Sequence, residues 1–421
     1  MSSRESLLDE LQWRGLLYQQ TEGLAAHLAK GPVAAYCGFD PTAASLHVGN
    51  LVPVMLLMHL ARAGHRAIAL VGGGTAMIGD PSGKSDERPL SSRPEINANA
   101  AALHAQLQRL FAAAKTKGVT LRNNADWLLD VKVIDFMRDV GKHFSVNYML
   151  AKDSVQSRLE TGISYTEFSY MLLQAYDFLQ LQKHEGVTVQ VGGSDQWGNI
   201  TAGMELVRRA ARVDAHVLTA PLITTSSGKK FGKTESGAVW LDRTLTSPYR
   251  FYQFWINTED ADVGKYLGMF TFNDKESIRV LRNAQAEEPQ NRLAQKDLAR
   301  AMTTMVHGED ATDAVERASR VIFDKKIDPS AIDDEIYEML AAEIPSVSMM
   351  KVAELDVLGV LERAFQLSRG AGRKLLQQGG ITVNGEKLAA DALTVPRAKA
   401  VRGRWFLVRK GARDIALADV G

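Results

Sequence analysis

Cysteine is almost missing from this chain: Cys37 is the one thiol in 421 residues. A lone thiol excludes an internal disulfide and a thiolate metal cluster, and a reducing cytoplasm is the simplest compartment. Long apolar runs are missing as well. The helical stretch Leu51–Ala63 is too short to span a bilayer and contains His59 and Arg62. The opening residues, MSSRESLLDELQWRG, are charged and have no apolar segment of the secretory kind, so no signal peptide is expected. Repeats and low-complexity tracts are absent. Net charge is scarce, at +1, which taken alone argues against a nucleic-acid partner. Its distribution argues the other way. Residues 363–413 carry 12 basic side chains against Glu386 and Asp391, while the remainder carries 38 basic and 47 acidic ones. A nearly neutral body therefore ends in a strongly basic module.

What is present suits a globular enzyme of two or three domains, with 45% hydrophobic and 24% charged residues. Its organising stretch is residues 36–50, YCGFDPTAASLHVGN. Tyr36–Phe39 continue an apolar run and suit a buried parallel strand. Asp40-Pro41-Thr42 opens a turn. The apolar pattern of residues 51–63 predicts a helix, with His47 and Asn50 three apart at its start. A helix N-terminus with two neutral donors suits phosphate oxygens. An ordinary strand-to-helix crossing fits this stretch equally well.

Residues 67–71 read as a second buried strand running into GGGTAMIGDPSGKS at 72–85. This loop is neither G-x-G-x-x-G nor a Walker A loop, because Gly79 stands one residue too close to Gly83-Lys84-Ser85. A P-loop nucleotidase is thus a poor runner-up for this segment, and glycine backbone that lets a ligand approach is what remains. Asp80 lies in the loop, with Lys84 and Arg88 beyond it. Residues 95–118 predict a helix and 119–123 a short strand. In the helical pattern 165–183, Tyr170, Gln174 and Asp177 fall within roughly 60° of one another. A solvent face is usually rich in Lys and Glu, so this polar stripe reads as a pocket wall. The strand pattern 187–193 runs into Asp195 and Gln196, at the kind of C-terminal strand end where α/β sheets bind ligands. Residues 224–236, TTSSGKKFGKTES, form a small-residue cationic loop with Lys229, Lys230 and Lys233. Residues 248–323 read as mostly helical, 324–350 as holding a linker, and 351–421 as a small α/β module.

These motifs, in this order, are similar to one family. The whole chain resembles the bacterial tyrosyl-tRNA synthetases, which are class I aminoacyl-tRNA synthetases. HVGN at 47–50 is similar to the His-x-Gly-His signature, with Asn50 in place of the second His. KFGKT at 230–234 is similar to the Lys-Met-Ser-Lys-Ser signature, with Phe231, Gly232 and Thr234 substituted. YCGFDPTA, GDPSGK, GKHFSVNYM, YTEFSYMLLQAYDF and VGGSDQWGNI are more specific to the tyrosine branch. SRGAGRKLLQQGGITVNGEKL resembles the alpha-L RNA-binding domain.

The resemblance implies an α/β fold: a Rossmann-like parallel-sheet catalytic domain at 1–247, a helical domain at 248–323, a linker at 324–350 and an alpha-L-type RNA-binding domain at 351–421. It implies activation of L-tyrosine with ATP to tyrosyl-adenylate and pyrophosphate, then transfer to the terminal adenosine of tRNA(Tyr). Mg2+ is expected on the ATP phosphates and no tightly bound protein metal is expected. A cytoplasmic homodimer, with its interface near 141–149 and no membrane association, is implied too. Tyr36 and Asp177 are implied to hydrogen-bond the substrate phenol. Asp80, Tyr170 and Gln174 are implied to hold its α-ammonium, with Gln196 at the carboxylate–adenylate junction. Cys37, Gly38, Gly193 and Asp195 would lie against the adenosine. Asp40, Thr42, His47, Gly49 and Asn50 would line the phosphate side, with Lys230, Lys233 and Thr234 closing from the loop and Lys84 and Arg88 reaching the pyrophosphate. His47, Asn50, Lys230, Lys233 and Thr234 form the implied catalytic set. Two alternatives are a non-catalytic RNA-binding relative and a tryptophan-branch synthetase. His47, Lys230 and Lys233 argue against the first. The Tyr36–Asp177 pair argues for a phenol over an indole.

Overall fold

In this computed structural model the described residues are 6–82, 91–156, 158–159, 162–228, 231–234, 237–323, 328–349, 352–411 and 414–421; at 153–154 and 233–234 only the backbone is described. Lys84, Arg88 and Lys230 lie outside these residues, as do the side chains of Lys233 and Thr234. The chain forms two compact units, residues 1–247 with 253–306, and residues 248–252 with 307–421.

The first unit is built on one six-stranded sheet. Its strands are β1 (Gln19–Gln20), β2 (Ala34–Phe39), β3 (Arg66–Val71), β4 (Val119–Asn123), β5 (Val187–Gly193) and β6 (His216–Ala220), in the order β1-β6-β5-β2-β3-β4. Only the short edge strand β1 runs antiparallel. β2 is buried at five of its six positions, all but Gly38, and β3 at five of six. Such runs suit a sheet covered on both faces. Helix Leu51–Arg62 is buried at nine of its twelve positions, as a helix apolar all round must be.

The chain leaves β2 toward β3 and β4 on one side, and β5 and β6 lie on the other. The C-terminal ends of β2 and β5 therefore flank the point where strand order reverses, the place where α/β sheets collect ligands. Helix Tyr165–Glu185 enters β5 directly. Ser164 caps its N-terminus by accepting from the Glu167 N–H, and Gly186 ends it at φ 63°, a conformation glycine takes without strain. Its apolar side, with Met171, Leu172, Ala175, Phe178 and Leu179, joins Tyr36, Ile68 and Leu70 of the sheet in one core. The predicted α/β class with a parallel sheet is what is observed. The 119–123 and 187–193 strands have the expected bounds, and the 95–118 helix spans Arg93–Ala113.

The second unit has a five-stranded sheet in the order Glu386–Lys387, Ile381–Val383, Trp405–Lys410, Asp414–Asp419, Ser346–Ser348, with helices Val357–Phe365 and Arg369–Gln377. The stretch 324–350, expected to hold a linker, instead carries helix Asp334–Glu343 and strand Ser346–Ser348. Ile336, Tyr337 and Leu340 give that helix an apolar face to bury, and the strand pairs in parallel with Asp414–Asp419. Pro and Ser composition suggested a linker because the strand's partner lies far along the chain. Among the described residues no helix is long and apolar enough to cross a membrane.

Candidate active site

Four strand ends deliver polar side chains to the reversal point of the sheet. β2 delivers Asp40, whose carboxylate is the hub. Tyr170 donates its phenol O–H to Asp40 Oδ2 at 2.9 Å, and Thr75 donates to Oδ1 at 2.9 Å. β4 delivers Asn124, buried, whose side-chain amide donates to Thr75 Oγ1 at 3.0 Å and to Asp177 Oδ2 at 2.9 Å, while its carbonyl accepts from the Gly74 N–H at 2.7 Å. Trp127 donates its indole N–H to Asp177 Oδ1 at 2.8 Å. Asp177 is thus a buried carboxylate held by two donors. Burial pushes its carboxyl up to about 7, the donors from Asn124 and Trp127 pull it back down, and the negative charge of Asp40 adds to the rise.

Tyr36 stands beside this carboxylate. Its ring meets Phe178 edge-on at 5.3 Å, and it is 1% exposed. Burial, then Asp177 and Cys37, push its phenol well above the usual range. Its hydroxyl has no hydrogen-bond partner among the described residues. Among the other buried side-chain atoms in that condition are two close by in the fold: Gln174 Oε1, three residues before Asp177 on its helix, and Gln190 Oε1 on β5, the strand neighbour of Tyr36 in register. Buried polar groups in native proteins are mostly paired, so orphans on Tyr36, on the Asp177 helix and on the strand paired with Tyr36 ask for a polar ligand.

A second network adjoins the first. Asp80 accepts from Gln196 Nε2 at 2.7 Å and from the Ser82 N–H at 2.9 Å. Asn199 donates to Ser82 Oγ at 3.1 Å and to Gln196 Oε1 at 3.2 Å. Gln174 Nε2 reaches Gln196 Oε1 only at 3.5 Å. Of Asp80, Tyr170 and Gln174, which the resemblance groups, Tyr170 donates to Asp40 and Asp80 accepts from Gln196. A hydroxyl donates once, and the Asp40 carboxylate takes that proton.

The glycines at 72–74 have a different use from the expected ligand approach. A Cβ on Gly72 would collide with Asp40 Oδ1 and stand 2.6 Å from Thr75 Oγ1. One on Gly73 would meet Asn123 Oδ1 at 2.5 Å, and one on Gly74 would meet Leu128 at 2.9 Å. Their missing side chains make room for the Asp40 and Asn123 side chains. Open space lies instead above Gly38, exposed on β2, where an added Cβ meets nothing within 4 Å. Cys37 beside it is buried, its thiol pushed up to about 12, which makes it inert. Gly193 closes β5 against its neighbour, since a Cβ there would stand 2.5 Å from Asp195 Oδ1. Asp195 and Thr42 are exposed.

The two signature motifs meet. His47 caps the short helix Val48–Asn50: its Nδ1 accepts from the Gly49 N–H at 3.1 Å, and Asn50 Oδ1 accepts from the His47 N–H at 3.0 Å. A neutral ring accepting at Nδ1 carries its proton on Nε2. The Val48 N–H donates to the Val239 carbonyl at 2.9 Å, and the Val239 N–H donates to the Gly232 carbonyl at 3.0 Å. Gly232, at φ 78°, has no room for a Cβ, which would meet Val48 Cγ2 at 2.5 Å. Phe231 is buried among Phe254, Trp255, Tyr266 and Phe270, with ring centroids 5.0–5.8 Å away. The Lys233–Thr234 backbone pairs antiparallel with Gly237–Ala238.

Sequence reasoning missed Thr75, Asn124, Trp127, Gln190 and Asn199. Asn124 and Thr75 each lie just past the C-terminal end of a parallel strand, and that rule, applied to β3 and β4 as it was to β5, finds both. Trp127 and Asn199 carry no sequence signal of their own.

The model of the family tRNA synthetases class I (W and Y) matches residues 28–324, and that of the tyrosine–tRNA ligase SYY-like C-terminal domain matches 335–418. The tyrosine–tRNA ligase of Anaeromyxobacter dehalogenans is 50% identical over 419 residues, covering 99% of this chain and all of that one. The tyrosine–tRNA ligase of Roseiflexus castenholzii is 48% identical over 422 residues, covering 98% and 99%. Among solved structures, a C-terminally truncated mitochondrial tyrosyl-tRNA synthetase of Aspergillus nidulans superposes with a TM-score of 0.71 at 34% identity, covering 76% of this chain and 95% of that one.

Proposed function

Because the chain belongs to the tRNA synthetases class I (W and Y), and its activity is that of a tyrosine–tRNA ligase using ATP, we propose that the polar site at the sheet reversal is its tyrosine pocket. The observation that carries this reading is the unpartnered Tyr36 O–H beside the buried Asp177 carboxylate, with Gln174 Oε1 on the Asp177 helix and Gln190 Oε1 on the strand paired with Tyr36 also unpartnered among the described residues. A substrate phenol donates to Asp177 and accepts from Tyr36. The substrate ammonium finds Asp80 and the Gln174 carbonyl oxygen, with Tyr170 fixing Asp40 behind them. Gln196 faces the carboxylate end.

In the first step the tyrosine carboxylate oxygen attacks the α-phosphorus of ATP, the P–O bond to the β-phosphate breaks, and pyrophosphate leaves. In the second, a ribose hydroxyl of the terminal tRNA adenosine attacks the tyrosyl carbonyl and AMP leaves. No protein nucleophile is needed, because the attacking carboxylate is ionised at pH 7. The protein's part is positioning and charge stabilisation. Gly38, Gly193 and Asp195 suit the adenosine, and His47, Gly49, Asn50 and Thr42 the phosphates. Lys230, Lys233 and Thr234, with Lys84 and Arg88, are assigned to the phosphates on their motifs alone. Magnesium enters on the ATP phosphates as part of the substrate.

The second unit, through residues 335–421, serves tRNA(Tyr). Exposed apolar side chains support self-association near the 141–149 segment: Val133, Ile134 and Met137 before it and Val146 within it. We assign a homodimer to this face, and the cytoplasm as the compartment. ATP–pyrophosphate exchange, run with each amino acid in turn, tests the pocket. Tyrosine alone should support exchange, and equal exchange with tryptophan or phenylalanine would refute the reading.

A further inference from the structure

The cations of the C-terminal module do not all face outward. Arg404 meets Asp419 at 2.9 and 3.1 Å, donates to Glu338 at 2.9 Å, and lies 4.2 Å over the ring of Trp405. Trp405 is buried, stacks on Tyr337 at 5.9 Å, and donates its indole N–H to Asp334 at 3.2 Å. Arg409 donates both terminal nitrogens to helix-end carbonyls, Ile322 at 2.6 Å and Val321 at 2.7 Å. Arg402 donates to the Ile332 carbonyl at 2.8 Å and lies 3.4 Å from Asp333. Strand Trp405–Lys410 and the turn before it are thereby fastened to helices Glu309–Phe323 and Asp334–Glu343 of the same unit.

Three more cations are answered inside the module: Arg369 by Asp356 at 3.0 Å, Lys399 by Glu386 at 3.3 Å, and Lys410 by Asp414 at 2.7 Å. Arg363, Arg373, Lys374, Lys387 and Arg397 have no hydrogen-bonded acid or carbonyl partner among the described residues, and all but Arg397 are exposed. The distinction matters chemically. A guanidinium that satisfies two helix-end carbonyls cannot turn to a phosphate without leaving those carbonyls unmet. A lysine cannot take its place, because the fork geometry is lost.

We propose that Arg402, Arg404 and Arg409 are positioning residues that hold the RNA-facing module on the helices of its own unit, and that tRNA phosphates are met by Arg363, Arg373, Lys374, Lys387 and Arg397. The proposal rests on the reading that this module binds tRNA. It divides the basic excess into a set that fixes orientation and a set that supplies affinity.

The test uses the full chain and a tRNA(Tyr) transcript, with binding measured from low to moderate KCl. Each phosphate contact contributes about 0.9 to the slope of log K against log salt. Arg373→Gln and Lys374→Gln should each lower the slope by about that amount and raise the KM for tRNA. Arg404→Gln and Arg409→Gln should leave the slope at the wild-type value while kcat/KM for tRNA charging falls by about tenfold, the loss expected of one charged hydrogen bond. Pyrophosphate exchange should be unchanged in both. Arg409→Lys keeps the charge and should fail to rescue charging. The proposal is overturned if Arg409→Gln or Arg404→Gln lowers the slope as Arg373→Gln does, or if Arg409→Lys restores charging. A variant neutralised at all five unpaired positions that binds tRNA with the wild-type slope sinks the tRNA reading itself.

Discussion

Replacing Asp177 with Asn probes the centre of the pocket with no change of shape. Each carboxylate oxygen already accepts one donor, from Trp127 and from Asn124. An amide can answer only one of them, and its NH2 is left facing the other. Losing a charge-assisted bond to the substrate phenol costs about 1.5–3 kcal/mol, a fall in kcat/KM for tyrosine of roughly 10–10², with phenylalanine affected far less. The mismatched donor is present in the free protein too and takes about 1–3 kcal/mol from stability at every pH. Against that constant cost stands a pH-dependent one in the wild type. Burial raises the carboxyl from 3.8 in the unfolded chain to about 7 in the fold. A raised pKa contributes stability that is complete below 3.8 and is lost as pH rises through about 7. The shift corresponds to on the order of 4 kcal/mol. The wild type should therefore lose stability between about pH 4 and 7 relative to the Asn variant and level off above, while its kcat/KM for tyrosine rises through about pH 7 as the carboxylate forms. The assays are pyrophosphate exchange with both amino acids and denaturant unfolding, each across pH. An Asp177→Asn protein that keeps the wild-type tyrosine-to-phenylalanine ratio would remove Asp177 from the pocket.

Tyr36→Phe removes a buried hydroxyl that has no partner among the described residues, so denaturant unfolding should show no loss of stability while the tyrosine-to-phenylalanine ratio falls by about tenfold; a clear loss of stability would mean the hydroxyl is bonded. Gly72→Ala drives a methyl into Asp40 and Thr75 and should cost about 1–3 kcal/mol of stability as overpacking, with weakened tyrosine binding; an unchanged unfolding midpoint would refute the tight fit. Ile134→Lys places a charge on a residue 73% exposed and should yield a monomer in sedimentation if that face self-associates, and no change if it does not.

The parallel sheet was legible because its strands are buried on both faces and read as continuous apolar runs bounded by turns. Tyr170 and Asp177 were legible as a stripe because helical spacing is a property of the sequence itself. Partners were not legible. That Tyr170 serves Asp40, and that Asn124 and Trp127 hold Asp177, depends on which strands become neighbours, and spacing along the chain does not encode this. The glycines of 72–74 were misread for the same reason. A glycine announces that something comes close, and only the fold shows that the visitor is the protein's own aspartate. The 324–350 stretch looked like a linker because its strand finds a partner only at 414–419.

The hydrogen bonds that build the pocket join residues 35, 53, 116 and 130 positions apart. None can form until loops of those lengths have closed, and loop closure is the slow, entropy-limited part of folding a parallel sheet. During synthesis or refolding the pocket is therefore among the last features to be completed. Catalytic competence becomes a report on the sheet: displacing β3 takes Thr75 from Asp40, and displacing β4 takes Asn124 and Trp127 from Asp177. Heat or denaturant should accordingly extinguish tyrosine activation in step with loss of the sheet.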